Sequence, residues 1–514
     1  MKNEPSTVLN VRQESAKRSE GERRRHPALR IAWHRDVQRI GHVAVLSTSE
    51  PSDISRMSGP FDPVKDVVLS RAPFFTVVDR GGKVEIRPRE TRMSIEINGR
   101  PFVEPLTFSD KEVSAGVIIL LAQEIVVCLH RLEFPVQRGP TLGFVGDSDA
   151  MERVRRQILS VADLDTTVLV RGATGTGKEL VALAIRFGSK RATKPFVSVS
   201  LADIPGETAA SALFGHERGS FTGAAQAHSG LFVQADGGTL FLDEVALAAP
   251  EVQNMLLRVL ETGEVRALGS SRGRKVDVRV VAATDEKLEM AVEEGRFSEP
   301  LLHRVSGYEV RLSPLRERRE DIGPLLLHFL QRELASIGES DRLEPRDLSE
   351  RPWLEASDVA KIALGEVRGN VRAIRNLAKQ LVITSRGARH VRADEVGAQP
   401  FAARESSPPY AAASDASDQA GTVSDLEIEA ALVRSNFNFA AAAKRLGIHR
   451  GTLYDRLRKN PSVAGNAATL TDAEILECHR RHAGDVEAMA AELRVSRKRL
   501  AAVLKQVLSR RLLP

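Results

Sequence analysis

Gly172-Ala-Thr-Gly-Thr-Gly177-Lys178 is a glycine-rich run closed by a lysine. It follows an apolar strand pattern over 167–170 and precedes a helical pattern over 179–187. Glycines in such a turn let backbone N–H groups close around phosphate oxygens, and the terminal lysine can reach the last phosphates. The nucleotide-binding candidates are therefore Gly172, Ala173, Thr174, Gly175, Thr176, Gly177, Lys178 and Glu179. Glu179 stands where a generic phosphate loop has a Ser or Thr that helps hold magnesium. A second element, Gly237-Gly-Thr-Leu-Phe-Leu-Asp243-Glu244, is an apolar strand ending in two acids, and Asp243 follows Lys178 by 65 residues. Asp243 suits support of a magnesium ion, and Glu244 suits orientation and activation of an attacking water. An Asp-Glu pair alone would read as a solvated strand end. Together with the loop it predicts an ATPase using ATP and Mg2+.

Between these elements lies Ala212-Leu-Phe-Gly-His-Glu-Arg-Gly219-Ser-Phe-Thr-Gly-Ala224. It contains three glycines and no helical period, so it reads as an insertion displaying Phe221 and Thr222. The stretch Gly219-Ser-Phe-Thr-Gly-Ala224 resembles the GAFTGA loop of sigma-54-dependent transcriptional activators, a group of AAA+ ATPases. Leu213-Phe-Gly-His-Glu217, Leu256-Leu-Arg-Val-Leu-Glu261, Pro314-Leu-Arg-Glu-Arg-Arg-Glu-Asp-Ile322 and Gly369-Asn-Val-Arg372 are similar to the same family, as is the Glu after Lys178. The resemblance covers about 140–395. It implies a homo-oligomeric ring, a hexamer, with nucleotide between subunits. It implies that hydrolysis moves Phe221 and Thr222 against sigma-54 RNA polymerase to open promoter DNA. Arg304 would be a trans-acting catalytic arginine and Arg372 the sensor arginine of a helical lid.

Several positions depart from that pattern. Ser220 replaces a small alanine, Ser200 a usual asparagine, Asp285 an asparagine, Ser298 an arginine and Pro300 an acid. Losing an arginine donor removes charge stabilisation in phosphoryl transfer. Arg296 is a nearby substitute. Weak hydrolysis is the expectation. The alternative is a DNA-binding regulator with a degenerate ATPase, using nucleotide as an assembly switch. An AAA+ remodeller of some other protein is a third reading, opposed by the Phe221-Thr222 loop.

The elements that must position these groups follow from patterning. Apolar strands alternating with helical stretches from about 143 predict a parallel α/β core. The fold expected is multidomain. Residues 1–28 form a disordered basic tail, 29–133 an all-β sandwich, 140–315 the AAA+ α/β P-loop core and 316–397 its helical lid. The Ala-, Ser- and Pro-rich stretch 398–424 is a linker. Residues 425–460 form an all-α helix-turn-helix, and 461–514 a second, similar repeat. In the sandwich, 64–69, 74–78, 83–86 and 93–97 read as strands, with hairpin turns at Asp79-Arg80-Gly81-Gly82 and Asn98-Gly99. Gly116 to His130 is too short and too polar at Gln123 and Glu124 for a membrane span and reads as buried strands.

The C-terminal end carries the basic balance. Residues 425–514 hold 16 Lys and Arg against 10 Asp and Glu, an excess of 6 that equals the net charge of the whole chain. Such a location suits phosphate contacts on double-stranded DNA. Residues 440–458 read as helix, glycine turn, helix, with Leu446, Ile448, Leu453 and Leu457 facing inward. His449, Arg450, Thr452, Arg456 and Arg458 remain outside as DNA-binding candidates. The segment resembles the Fis-type helix-turn-helix, which commonly ends this activator family; a basic helical hairpin used only for assembly is the alternative. A shift of 47 residues superposes Ile428 on Ile475, Leu446 on Leu493 and Leu457 on Leu504. Ser496-Arg-Lys-Arg499 is the second copy's basic cluster. That copy is either a second DNA reader or a dimerising helical pair.

The sandwich resembles a forkhead-associated (FHA) domain through Arg39-Ile-Gly41, Leu69-Ser-Arg71 and Asn98-Gly99. The resemblance implies binding of a phosphothreonine protein through Ser70, Arg71 and Asn98, with Arg56 a weaker candidate. Pro73 stands where the family commonly has histidine. A sandwich serving as an interaction or inhibitory module without phosphate recognition is the other reading. No receiver-type acid cluster is evident in the first 140 residues.

The chain has 514 residues, enough for roughly three or four domains. Its two cysteines exclude a disulfide framework and a Cys-rich zinc site. The absence of an apolar leader or span predicts a cytoplasmic protein without membrane partners.

Overall fold

The structure is a computed structural model. It describes residues 24–61, 66–134, 139–220, 226–343, 351–391 and 472–482, with Met489, Glu492, Leu493 and Leu504. These fall into two units, Met1–Ser407 and Pro408–Pro514.

The first unit opens with ten strands in two sheets. They are β1 (Arg24–Trp33), β2 (Val43–Val45), β3 (Ser52–Ile54), β4 (Phe75–Asp79), β5 (Lys83–Pro88), β6 (Ile95–Ile97), β7 (Arg100–Pro101), β8 (Leu106–Ser109), β9 (Val117–Leu121) and β10 (Ile125–Phe134). The orders are β2-β1-β10-β9-β6-β7 and β3-β4-β5-β8. A short helix, α1 (Asp110–Ala115), joins β8 to β9 through a Ser109–Glu112 capping box. The sandwich core includes Leu29, Ile31, Phe74, Phe75, Val77, Ile86, Ile119 and Val127.

Two expectations for this domain are corrected. The first strand begins at Arg24, not near 29, because Arg24 to Ala28 pair with Phe134 to His130 of β10. The described part of 64–69 is a turn, closed by Leu69 N–H donating to the Asp66 carbonyl. Its apolar Val67 and Val68 are exposed, while Asp66 is buried and contacts His34 at 2.9 Å. The two predicted hairpin turns form as expected, linking β4 to β5 and β6 to β7.

The next segment is a parallel α/β domain. Helix α2 (Asp149–Val161) precedes β11 (Val168–Arg171), α3 (Lys178–Phe187), β12 (Phe196–Ser200) and α4 (Gly206–Phe214). A small antiparallel pair, β13 (Gly215–His216) and β14 (His228–Ser229), leads to α5 (Leu231–Gln234) and β15 (Thr239–Asp243). Helix α6 (Pro250–Thr262) is followed by the pair β16 (Glu264–Val265) and β17 (Arg274–Lys275), then β18 (Arg279–Thr284). Helices α7 (Leu288–Glu293) and α8 (Glu299–Val305) precede β19 (Tyr308–Arg311). The five-stranded sheet runs β12-β15-β18-β11-β19, all parallel. The three central strands are almost wholly buried, as helices covering both faces of a parallel sheet require.

Among the described residues, three further α-helices follow: α9 (Ile322–Ser336), α10 (Ala356–Leu364) and α11 (Asn370–Thr384). Their core is shared with the sandwich. Ala32, Ile118, Leu120, Val126 and Cys128 on the outer face of the six-stranded sheet pack with Leu326, Leu330, Val359, Ala363, Ile374 and Leu381. This explains β9, Val-Ile-Ile-Leu-Leu. Val117, Ile119 and Leu121 face the sandwich interior, while Ile118 and Leu120 face the helices.

In the second unit, α12 (Asp472–Arg481) is described. Among the described residues, no helix is long and apolar enough to cross a membrane.

Candidate functional site

The phosphate loop has the predicted setting, at the C-terminal end of β11 and the start of α3. Gly175 and Gly177 have φ of 78° and 105°, the left-handed region that favours glycine. A Cβ on Gly175 would also stand 2.2 Å from the Gly369 carbonyl oxygen. The loop is thus pressed against the lid. Asn370 Nδ2 donates to the Thr174 carbonyl at 2.9 Å, and Arg372 N–H donates to the Gly175 carbonyl at 3.3 Å. Asn370 Oδ1 meanwhile accepts from the buried Leu315 N–H at 2.8 Å. One amide therefore ties the loop, the lid and the core-to-lid crossover.

Lys178 is buried. Its ammonium donates to the Gly172 carbonyl at 3.2 Å and to Glu244 Oε1 at 3.3 Å. Asp243 ends β15, where its Oδ1 accepts from Glu244 N–H at 3.0 Å. Glu244 takes a left-handed backbone, φ 53°. Burial raises the Glu244 carboxyl above its ordinary range, opposed by Lys178 and reinforced by Asp285 and Asp243. Asp285 follows β18, and its Oδ2 accepts from Thr174 Oγ1 at 2.5 Å. That bond, the largest cause, holds the Asp285 carboxyl low. Ser200 lies in register beside Asp243. Loop, lysine and both acids thus gather at the C-terminal ends of β11 and β15, and this geometry fits phosphate and a divalent cation. Glu179 is exposed on the first turn of α3.

Of the two arginine roles, Arg304 is exposed near the end of α8 and makes no ion pair among the described residues. Arg372 is exposed at the start of α11, beside the loop. Ser298 is the N-cap of α8, with Pro300 in the first turn. A serine and a proline suit a helix start, which gives both departures a local structural role. Arg296 is exposed and pairs with Glu286 at 3.1 Å and with Glu294 at 2.8 Å.

Phe221 and Thr222 lie outside the described residues. The base of their insertion is described. His216 and Glu217 run beside Leu268, with Leu268 N–H donating to Gly215 at 2.9 Å and Glu217 N–H donating to Leu268 at 3.0 Å. The insertion is therefore paired with the segment joining β16 to β17, a neighbour that sequence reading missed. Reading also missed the Thr174–Asp285 and Asn370 links, because hydrogen bonds across 111 and 196 residues leave no local pattern.

In the sandwich, Ser70 and Arg71 lie on the loop before β4, where the Ser70 carbonyl accepts from Arg56 N–H at 2.9 Å. Arg71 is exposed, and Arg56 is buried. Asn98 has a different setting. Its Oδ1 accepts from Ile118 N–H at 3.0 Å, which fixes the β6–β7 turn to β9. The DNA-binding candidates His449, Arg450, Thr452, Arg456 and Arg458 lie outside the described residues.

Residues 144–311 match the Sigma-54 interaction domain, and residues 426–459 match the bacterial regulatory proteins of the Fis family. Transcriptional regulatory protein ZraR of Klebsiella oxytoca is 38% identical over 362 residues, covering 70% of this chain and 76% of that protein. The chain belongs to the sigma-54-dependent transcriptional regulators. DNA-binding transcriptional regulator NtrC of Escherichia coli (strain K12) is 44% identical to this regulator over 249 residues, 48% of this chain and 51% of NtrC. This regulator thus spans about half the length of the NtrC relatives it matches. The crystal structure of NtrX from Brucella abortus in complex with ADP aligns with a TM-score of 0.44 at 32% identity, covering 62% of this chain and 69% of that one. The Fis-family match falls on the segment read from its helix–turn–helix pattern.

Proposed function

We propose that this regulator hydrolyses ATP with Mg2+ and uses the energy to remodel sigma-54 RNA polymerase for promoter opening. The observation that carries this reading is the convergence of Lys178, Asp243 and Glu244 under a phosphate loop capped by Asn370. Magnesium, held with the help of Asp243, would neutralise charge on the phosphates. Lys178 would release Glu244 to pair with the terminal phosphates. Glu244, so released, would orient the attacking water. Arg372 would contact nucleotide from the lid, and Arg304 would reach a neighbouring subunit's site in a homohexamer. Phe221 and Thr222 would meet sigma-54. The C-terminal helices would bind double-stranded DNA upstream of promoters through His449, Arg450, Thr452, Arg456 and Arg458. The sandwich is read as FHA-like, sensing a phosphothreonine protein through Ser70, Arg71 and Asn98, with Asn98 also holding the β6–β7 turn to β9. The setting is cytoplasmic.

The helix-capping role of Ser298 favours a second reading, in which nucleotide drives assembly with little hydrolysis. ATP turnover separates the two. Wild-type protein is expected to turn over ATP, Lys178→Ala to lose nucleotide binding, and Glu244→Gln to bind without turnover. No wild-type turnover at any protein concentration, with nucleotide-driven assembly intact, would select the switch.

A further inference from the structure

The second unit carries a side-chain cluster that the nucleotide chemistry does not use. Cys478 Sγ, a ring nitrogen of His482 and a carboxylate oxygen of Glu492 lie within 4.8 Å of one another. Among the described residues this is the one group of three or more Cys, His, Asp or Glu side chains so placed. Spacing accounts for two of its members. Cys478 lies on α12, and His482 N–H donates to the Cys478 carbonyl at 3.0 Å. Residues four apart on such a turn present their side chains on one face. Glu492 comes from a separate turn, closed by Leu493 N–H donating to the Met489 carbonyl at 2.9 Å.

The chemistry is that of a metal site. His482 Nε2 contacts Glu492 Oε2, and an ion pair alone would explain that contact. It would not explain a thiol beside the pair, and Cys478 is a free cysteine only 2% exposed. The other Glu492 oxygen, Oε1, is held by Arg481, which also pairs with Glu477 at 3.1 Å. A partner of that kind orients a ligating carboxylate. The His482 and Glu492 side chains are 28% and 33% exposed, which gives an ion a path to the buried sulfur. Tetrahedral zinc holds sulfur at about 2.3 Å and nitrogen or oxygen at about 2.0–2.2 Å, so its ligand atoms stand about 3.3–3.6 Å apart. That spacing is within the 4.8 Å span of the cluster. A thiolate, a neutral imidazole and a carboxylate carry two negative charges, which a divalent ion cancels in a partly buried setting.

We propose that Cys478, His482 and Glu492 bind one Zn2+ ion, with water as the fourth ligand. Thiolate with imidazole selects zinc over magnesium or calcium. On binding, Cys478 gives its thiol proton to solvent, and His482 ligates as the neutral imidazole. The unfolded chain does not hold the three ligands together, so metal binding adds to the stability of this C-terminal segment.

The probe is Co2+, which takes zinc's geometry and shows a thiolate-to-cobalt charge-transfer band. It is titrated into the full chain, reduced and stripped of metal with EDTA, and is then displaced with Zn2+. One Co2+ per chain with the thiolate band is expected, removed by one equivalent of Zn2+. Cobalt bound at the Asp243 site carries no thiolate band, so the two sites are distinguishable. Cys478→Ala should abolish the band. Glu492 is exposed, so Glu492→Gln tests the site in a folded chain. Glu492→Gln and His482→Asn should each weaken cobalt binding about tenfold or more, since loss of a ligand costs at least what loss of an outer partner does. No thiolate band in wild type, a band that survives Cys478→Ala, or wild-type affinity in both other variants would overturn the site.

Discussion

Gly323, in the first turn of α9, lies so close to Ala32 of β1 that a Cβ on it would stand 1.7 Å from the Ala32 carbonyl oxygen. Backbone meets backbone at this point, so no rotamer change can make room. The sandwich is therefore seated on the lid by main-chain contact as well as by a shared apolar core. Gly323→Ala is expected to force the two apart and to cost about 3 kcal/mol, the upper end of the range for overpacking in a close-packed interior. Urea unfolding followed by tryptophan fluorescence checks this, since Trp33 and Trp353 flank the junction. An unchanged midpoint would contradict the tight docking.

Asn370 supplies the link between loop and lid. Asn370→Ala leaves the buried Leu315 N–H without its acceptor and frees the Thr174 carbonyl. A loss of about 1–3 kcal/mol in stability follows from the unsatisfied donor. Looser nucleotide retention should accompany it, read as faster release of a fluorescent ATP analogue. A release rate equal to wild type would show that the lid does not hold the loop through this amide.

Charge buried at the same junction predicts a pH dependence. Burial, and then Asp321, push the Glu320 carboxyl up to about 8 from an ordinary 4.5. Between those values the folded chain keeps a proton that the unfolded chain has lost, so stability falls as pH rises. Burial, and then Arg30, hold His130 down to about 3 from 6.5, so stability falls as pH drops through that window. The two slopes oppose each other between 4.5 and 6.5 and leave the Glu320 loss alone between 6.5 and 8. Glu320→Gln removes it. The melting temperature of the variant relative to wild type should therefore climb from pH 6.5 to pH 8, and a constant difference would refute the assignment.

Arg304 is exposed and without an ion pair among the described residues, as a residue meant for a neighbouring subunit would be. Arg304→Ala should lower ATP turnover by about 1,000-fold or more, the scale of a trans-acting arginine, while leaving nucleotide affinity within a few fold. Equal loss of affinity and turnover would place this arginine in binding instead.

The setting of the phosphate loop and of the two acids was legible because glycines, lysine and acids lie in short runs whose strand-to-helix placement follows from apolar patterning. Gly172 to Lys178 and Asp243-Glu244 stand where their types require. Exposed apolar residues misled the reading at 64–69: Val67 and Val68 look like strand but sit on a turn anchored by Asp66. Basic residues misled it at Arg24 and Arg25, whose backbones pair with β10 whatever their charge. The docking of sandwich on lid left no readable sign beyond β9, where five apolar residues in a row meant two covered faces rather than one. Contacts between distant segments, such as Trp33 with the segment around Trp353, carry no periodicity.

Hydrolysis at Lys178 and Glu244 is proposed to drive polymerase remodelling. The most direct measurement is open-complex formation on a supercoiled sigma-54 promoter, with purified protein, sigma-54 holoenzyme, and ATP or a non-hydrolysable analogue. Opening with ATP and not with the analogue, abolished in Glu244→Gln, is the predicted result. Failure to open with ATP, while nucleotide and DNA binding stay intact and a phosphopeptide-supplied sample also fails, would contradict the account.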